Sequence, residues 1–236
     1  MSFIMNAIAG VERDGPLPSQ GRRILVLRPV PGASATVKRA KALGLDAIAT
    51  PLFTVVPLAW DAPDPEAHDA LMLTSANALR HAGPTLARYH PLPVYAVGTA
   101  TAAAARAAGF GNVHVGDTDA AALLDRMAAD GVTRPLHLAG REHRDATHPA
   151  LTITRRTVYA ADAVDALPVV ADGAIALLHS PRAAALFARL VADRDTIAIA
   201  AISAATAAAA GGGWQAMAIA ESPNDAALLQ AALTLA

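Results

Sequence analysis

Short apolar runs alternate along most of the chain with longer segments of mixed polarity. Arg23–Leu27, Leu45–Ala49, Asp69–Leu73, Val94–Val97, Val113–Val115, Leu136–Ala139, Ala174–Leu178, Thr196–Ile202 and Trp214–Ile219 are compact and largely apolar. Such runs suit strands buried on both faces of a sheet. Between them, Ala33–Leu43, the stretch after Ser75, Thr99–Ala108, Asp119–Ala129, the stretch from Pro181, the stretch after Ser203 and Pro223–Leu235 read as helices. Gly44 stops the first of these where a left-handed residue is wanted. Ser180-Pro181 forms a cap and first-turn pair, and Ser222-Pro223 repeats it. Strands alternating with helices predict parallel βαβ units whose right-handed crossovers put helices on both sheet faces.

Two stretches break this rhythm. Thr50–Leu58 (TPLFTVVPL) and Leu151–Val164 (LTITRRTVYAADAV) are extended and β-branched, and could pair with one another. Pro51 and Pro57 confine the first to a sheet edge or a linker. The stretch Trp60–Pro65 reads as a boundary.

The pattern also repeats. Ser75 and Ser180 lie 105 residues apart, as do Thr101 and Thr206, and Ala122-Leu123-Leu124 and Ala227-Leu228-Leu229. Gly109-Phe110 matches Gly213-Trp214 at 104. A period this long implies two domain-sized halves and not a solenoid. The expected fold is α/β: two similar doubly wound parallel-sheet lobes joined by a two-stranded linker, the first domain discontinuous. Residues 1–22 are a loose N-terminal extension. Residues 23–49 and 166–236 form domain 1, because a lone strand–helix–strand piece cannot bury its own core. Residues 50–59 and 151–165 are the interdomain linkers, and 60–150 are the inserted domain 2.

Composition narrows the chemistry. A net charge of −1 gives no global attraction to nucleic acid or an anionic membrane. The absence of cysteine removes disulfides, thiolate nucleophiles and zinc–sulfur sites. No apolar run reaches the roughly 20 residues of a membrane span. Met1–Ala9 lacks a basic leader and does not read as a signal peptide, so a cytoplasmic location is expected. There is no dinucleotide fingerprint after a strand, no P-loop and no nucleophile elbow. His143 and His148 are five apart, and the eight histidines show no ligand spacing, so no metal is expected.

In open α/β sheets ligands sit beyond the carboxyl ends of the strands. Those ends here are Arg28-Pro29, Thr74-Ser75, Gly98-Thr99, Gly140-Arg141, Ser180-Pro181-Arg182 and Ser203. Each hydroxyl taken alone is explained by helix capping. Together, hydroxyls, arginines and helix N-termini suit a ligand with several anionic groups. Tyr159 stands out in its extended stretch beside Arg155-Arg156, either as a packing aromatic or as a functional phenol.

The stretches ILVLRP (24–29), LMLTSANAL (71–79), VYAVGTATAAAARAAGF (94–110), LHLAGR (136–141), TVYAAD (157–162), LLHSPRAAALF (177–187), AISAATAAAA (201–210) and SPNDAALLQAAL (222–233) together resemble the uroporphyrinogen-III synthase family. The resemblance implies two α/β lobes, no cofactor and closure of a linear tetrapyrrole, hydroxymethylbilane, with inversion of ring D through a spiro intermediate. It assigns Tyr159 to assisting loss of the substrate hydroxyl; a phenol is protonated at neutral pH and can donate. Arg28, Thr74, Ser75, Asn77, Gly98, Thr99, Thr101, Arg141, Ser180, Arg182, Ser203 and Thr206 become the candidate substrate contacts. A monomer in transient contact with the preceding pathway enzyme is expected. The chain departs from the family pattern at Leu27, His179 and Ser203. These departures leave open a catalytically degenerate two-lobed binder of an anionic ligand; a third reading is a dinucleotide- or flavin-binding enzyme. The missing phosphate fingerprint disfavours the latter.

Overall fold

The computed structural model describes residues 21–116, 119–143, 145–167 and 172–236. The chain divides into two compact units, one discontinuous, taking residues up to Thr50 and from Leu167 onward, and one inserted, Pro51–Ala166. The discontinuous unit begins with β1 (Ile24–Val26), α1 (Gly32–Ala42) and β2 (Ala47–Ala49). The inserted unit follows with β3 (Phe53–Pro57), β4 (Ala70–Leu73), α2 (Ala76–His81), β5 (Val94–Val97), α3 (Gly98–Ala107), β6 (Val113–Gly116), α4 (Ala120–Ala129), β7 (Pro135–Gly140) and β8 (Thr154–Ala163). The chain then completes the first unit with β9 (Ile175–Leu178), α5 (Pro181–Leu190), β10 (Ala198–Ala201), α6 (Ala204–Ala210), β11 (Ala216–Ile219) and α7 (Asp225–Leu233).

The sheets run β11-β10-β9-β1-β2 and β3-β8-β7-β4-β5-β6, every pair parallel except β3 with β8. The block β4–α2–β5–α3–β6–α4 corresponds to β9–α5–β10–α6–β11–α7. In the discontinuous unit the two remaining strands, β1 and β2, precede that block; in the inserted unit β7 and β8 follow it and take their places in the sheet, while β3 precedes it and adds an edge strand beyond β8. Arg28, just past β1, and Arg141, just past β7, therefore occupy equivalent places.

Successive strand side chains point to opposite faces, and both faces are covered. In β4, Leu71 and Leu73 pack with Ala78 and Leu79 of α2 and Ala102 and Ala105 of α3. Ala70 and Met72 pack on the other side with Leu123, Leu124 and Met127 of α4. In the discontinuous unit Ile24, Val26, Ile175 and Leu177 meet Ala33 and Ala40 of α1 and Leu228 and Leu229 of α7. Leu25, Ala176 and Leu178 are equally buried, with α5 packed against β9.

Three readings of the sequence change in detail. The stretches expected as linkers are strands of the inserted unit: β3 and β8 pair antiparallel, Phe53 opposite Ala163 and Pro57 opposite Tyr159, while β8 also runs parallel to β7. β7 leaves an open edge, and the β-branched stretch pairs with it. Trp60, expected at a boundary, donates to the Ala82 carbonyl at 2.9 Å and stacks on Tyr89 at 6.0 Å. Finally, α7 is capped not by Ser222 but by Asn224, whose side chain accepts from the Ala227 N–H at 2.9 Å and donates to Ser222 Oγ at 2.7 Å. Most of the extension expected over 1–22 lies outside the described residues; Arg22 donates to the Gly173 carbonyl at 2.9 Å.

Candidate functional site

The C-terminal ends of β4, β5 and β7 bring Thr74-Ser75, Gly98-Thr99 and Arg141 to one edge of the inserted unit's sheet. Ser75 caps α2, accepting from the Asn77 N–H at 3.2 Å, and Asn77 Oδ1 accepts from Arg80 at 2.9 Å. Gly98 opens α3 at φ +75°, a left-handed conformation that favours glycine, and no side chain caps that helix. Thr99 is exposed, whereas Thr101 is only 6% exposed inside α3. Arg141 is paired with Glu142 at 3.0 Å and with Asp162, so two carboxylates already meet its charge.

Tyr159 reaches the same end of the sheet through a bulge. β8 follows β7 in register from Leu136 opposite Thr154 to Ala139 opposite Thr157, then skips Val158, so that Gly140 faces Tyr159. A bulge of this kind re-aims a side chain. The phenol ring lies directly over Gly140: an added Cβ there would sit 2.6 Å from Tyr159 Cζ and 2.8 Å from its hydroxyl oxygen. Only glycine leaves room for the ring. His81, from α2, lies against it with ring centroids 6.2 Å apart, and burial followed by the Arg80 charge holds its pKa below the ordinary value. The other two tyrosines are structural. Tyr89 donates to the Pro63 carbonyl at 2.7 Å and Tyr95 to Asp130 at 3.1 Å, and both are buried.

Behind Thr74 stands a histidine that the sequence did not single out. His137 is central in β7, 2% exposed, with Nε2 3.3 Å from Thr74 Oγ1 and Nδ1 3.3 Å from Arg155 Nε. Burial, then the Arg155 and His143 charges, lower its pKa to about 4. It is neutral at ordinary pH. Arg155 also holds Asp145 at 2.9 Å, and Arg156 donates to the Asp61 carbonyl at 2.9 Å. The two arginines beside Tyr159 are thus engaged within their own unit.

In the discontinuous unit Ser180 caps α5, accepting from the Ala183 N–H at 3.2 Å, and Ser203 caps α6, accepting from the Thr206 N–H at 3.3 Å. Thr206 is wholly buried, its hydroxyl 3.1 Å from Ser203 Oγ; it steadies the cap and, like Thr101, does not reach the surface. Arg182 is exposed on the first turn of α5. Arg28 folds over the start of α1, where a Cβ on Gly32 would lie 2.5 Å from its Nε. Its guanidinium is 3.7 Å from Asp225, a second residue absent from the sequence reading. Asp225 accepts from Thr36 at 2.7 Å, Arg39 at 2.7 Å and His179 Nε2 at 2.9 Å. Burial opposes its charge, but these hydrogen bonds outweigh it and hold the carboxyl below its ordinary value. His179 is shifted down by burial despite this carboxylate partner.

The family model described as uroporphyrinogen-III synthase HemD matches residues 34–230. The chain belongs to that family. Among solved structures it is similar to uroporphyrinogen-III synthetase from Helicobacter pylori, with TM-score 0.65 and 18% identity over 91% of this chain and 100% of that one. At that identity the likeness shows the fold alone. A mutant uroporphyrinogen III synthase from Thermus thermophilus matches at TM-score 0.47 and 16% identity, over 91% of this chain and 98% of the other. No curated protein matches the chain.

The family's α/β fold is thus present with the departures at Leu27, His179 and Ser203 absorbed by its packing. Leu27 is wholly buried, His179 is held by Asp225, and Ser203 is a helix cap. His137 left a faint signal in the sequence, as the one polar side chain in the apolar run Leu136–Ala139. Asp225 left none, since an acidic residue at a helix start reads as ordinary capping chemistry. Among the described residues no helix is long and apolar enough to cross a membrane.

Proposed function

We propose that the chain cyclises hydroxymethylbilane to the ring-D-inverted macrocycle. The substrate hydroxyl leaves as water, taking a proton from the Tyr159 phenol, and leaves an electrophilic azafulvene. The already substituted carbon of ring D attacks it. The resulting spiro intermediate fragments and recloses with ring D reversed, and loss of a ring proton restores the aromatic pyrrole and the proton balance. No electrons are gained or lost overall, so the reaction as drawn needs no cofactor. The observation that carries this reading is Tyr159 seated over Gly140 at the strand ends, in a chain whose family match spans 34–230.

The substrate's carboxylates suit the hydroxyls and helix starts at the strand ends near Tyr159, where Thr74, Ser75, Asn77, Gly98 and Thr99 lie; Arg28, Ser180, Arg182 and Ser203 are the corresponding set in the discontinuous unit. Holding the linear chain in its reactive pose is the larger task, since orientation alone can supply about 7–11 kcal/mol of a barrier. The test is isomer analysis of the product made from freshly generated hydroxymethylbilane. An excess of the inverted isomer over the uncatalysed mixture is expected. Only the uninverted isomer, formed at the spontaneous rate, overturns the reading.

A further inference from the structure

We infer that His137 acts through Thr74 as a positioning residue, fixing that threonine as a hydrogen-bond donor toward an anionic group of the ligand. The inference rests on the reading of Thr74 as a ligand contact.

The argument follows the protons. A guanidinium has only donors, so Arg155 Nε, 3.3 Å from His137 Nδ1, makes that nitrogen an acceptor. A neutral imidazole with an accepting Nδ1 carries its proton on Nε2. Nε2 therefore donates to Thr74 Oγ1, 3.3 Å away. With that lone pair occupied, the threonine's own O–H points elsewhere. Thr74 is partly exposed at the C-terminal end of β4, where the strand gives way to α2. An outward O–H there favours a carboxylate oxygen, a pure acceptor, over a ligand group that could only donate.

The surroundings keep His137 neutral. It is 2% exposed, and the charged or titratable groups facing it are Arg155 from β8 and His143, whose ring centroid is 6.3 Å away. Arg155 is itself paired with Asp145 at 2.9 Å, and His143 Nε2 lies 3.3 Å from the same carboxylate. A second positive charge on the imidazole would face Arg155 directly. The equivalent strand end of the discontinuous unit carries His179 in place of Thr74, so this donor arrangement belongs to the inserted unit alone.

Two measurements test it. Nitrogen-15 spectra of histidine-labelled protein at pH 7 should show His137 protonated at Nε2 and bare at Nδ1; the opposite tautomer overturns the inference. Binding of uroporphyrin III, a stable octacarboxylate probe, is then measured by fluorescence in a double-mutant cycle. Thr74→Val should weaken binding roughly 10- to 100-fold, the worth of a hydrogen bond to a charged group, and His137→Leu roughly 2- to 10-fold. In the Thr74→Val background, His137→Leu should add nothing. His137→Gln, whose amide can accept from Arg155 and donate to Thr74, should keep wild-type affinity even if the leucine variant folds poorly. Additive effects, or a glutamine variant as weak as leucine, overturn the positioning role. The cycle reads binding and not turnover, so failure of the isomer assay and failure of this inference are separate outcomes.

Discussion

The two repeated strand ends, Leu73-Thr74-Ser75 after β4 and Leu178-His179-Ser180 after β9, share a backbone plan and differ in chemistry. Both serines are N-caps, each accepting a backbone N–H at 3.2 Å. The residue just before each serine is where the units diverge. In the inserted unit it is a threonine backed by the neutral His137, which Arg155 in turn holds. In the discontinuous unit it is a histidine tied to Asp225, with Thr36, Arg39 and Arg28 gathered around the same carboxylate. What the halves share holds helices to strands. What they do not share is where function is sought.

Tyr159 is the sharpest asymmetry, for β2, the counterpart of β8, carries no phenol. Tyr159→Phe removes one oxygen and keeps the ring over Gly140. Turnover should fall about 10²–10⁴-fold, the worth of a positioned general acid, with ligand affinity little changed. Steady-state kinetics check this, and a near-wild-type rate would reduce Tyr159 to packing.

A pair of glycines gives the next effect. An alanine at Gly140 meets the rigid Tyr159 ring packed against the core, whereas one at Gly32 meets the flexible end of Arg28. Gly140→Ala should displace the phenol and cost roughly 100-fold in turnover, as a misplacement near 1 Å can. Gly32→Ala should merely swing the guanidinium, changing the Michaelis constant more than the rate. Equal losses from both would erase the distinction between the units.

The smallest effect is expected where the halves agree. Thr101 and Thr206 are both buried. Valine at either position should leave uroporphyrin III affinity unchanged, and at Thr206 it should also lower stability by about 1 kcal/mol, as loss of the hydrogen bond to Ser203 does. Urea denaturation beside a binding titration separates the two, and weakened binding at unchanged stability would return these threonines to the ligand contacts.

Much of this was readable in the chain. Val94–Val97 is a strand with the bounds its residues suggest, because an isolated apolar run between polar turns has one economical use. The helix starts after Ser75, Ser180 and Ser203 were legible because capping is local chemistry. The same locality misled at Ser222, where Asn224, two residues on, makes the cap. Arg141 was legible as a strand-end cation, but not as one already paired with Glu142 and Asp162.

The amino-acid order by itself determined the strands, the helices, the repeat and the set of strand ends, since each depends on periodicities and caps spanning a few residues. Only the tertiary structure decided that β3 and β8 extend the inserted unit's sheet, that a bulge sets Tyr159 over Gly140, and that His137 backs Thr74 while Asp225 gathers its cations. Those facts depend on which strands lie side by side and in what register, and residues 63 positions apart, such as Thr74 and His137, become neighbours only when the sheet forms.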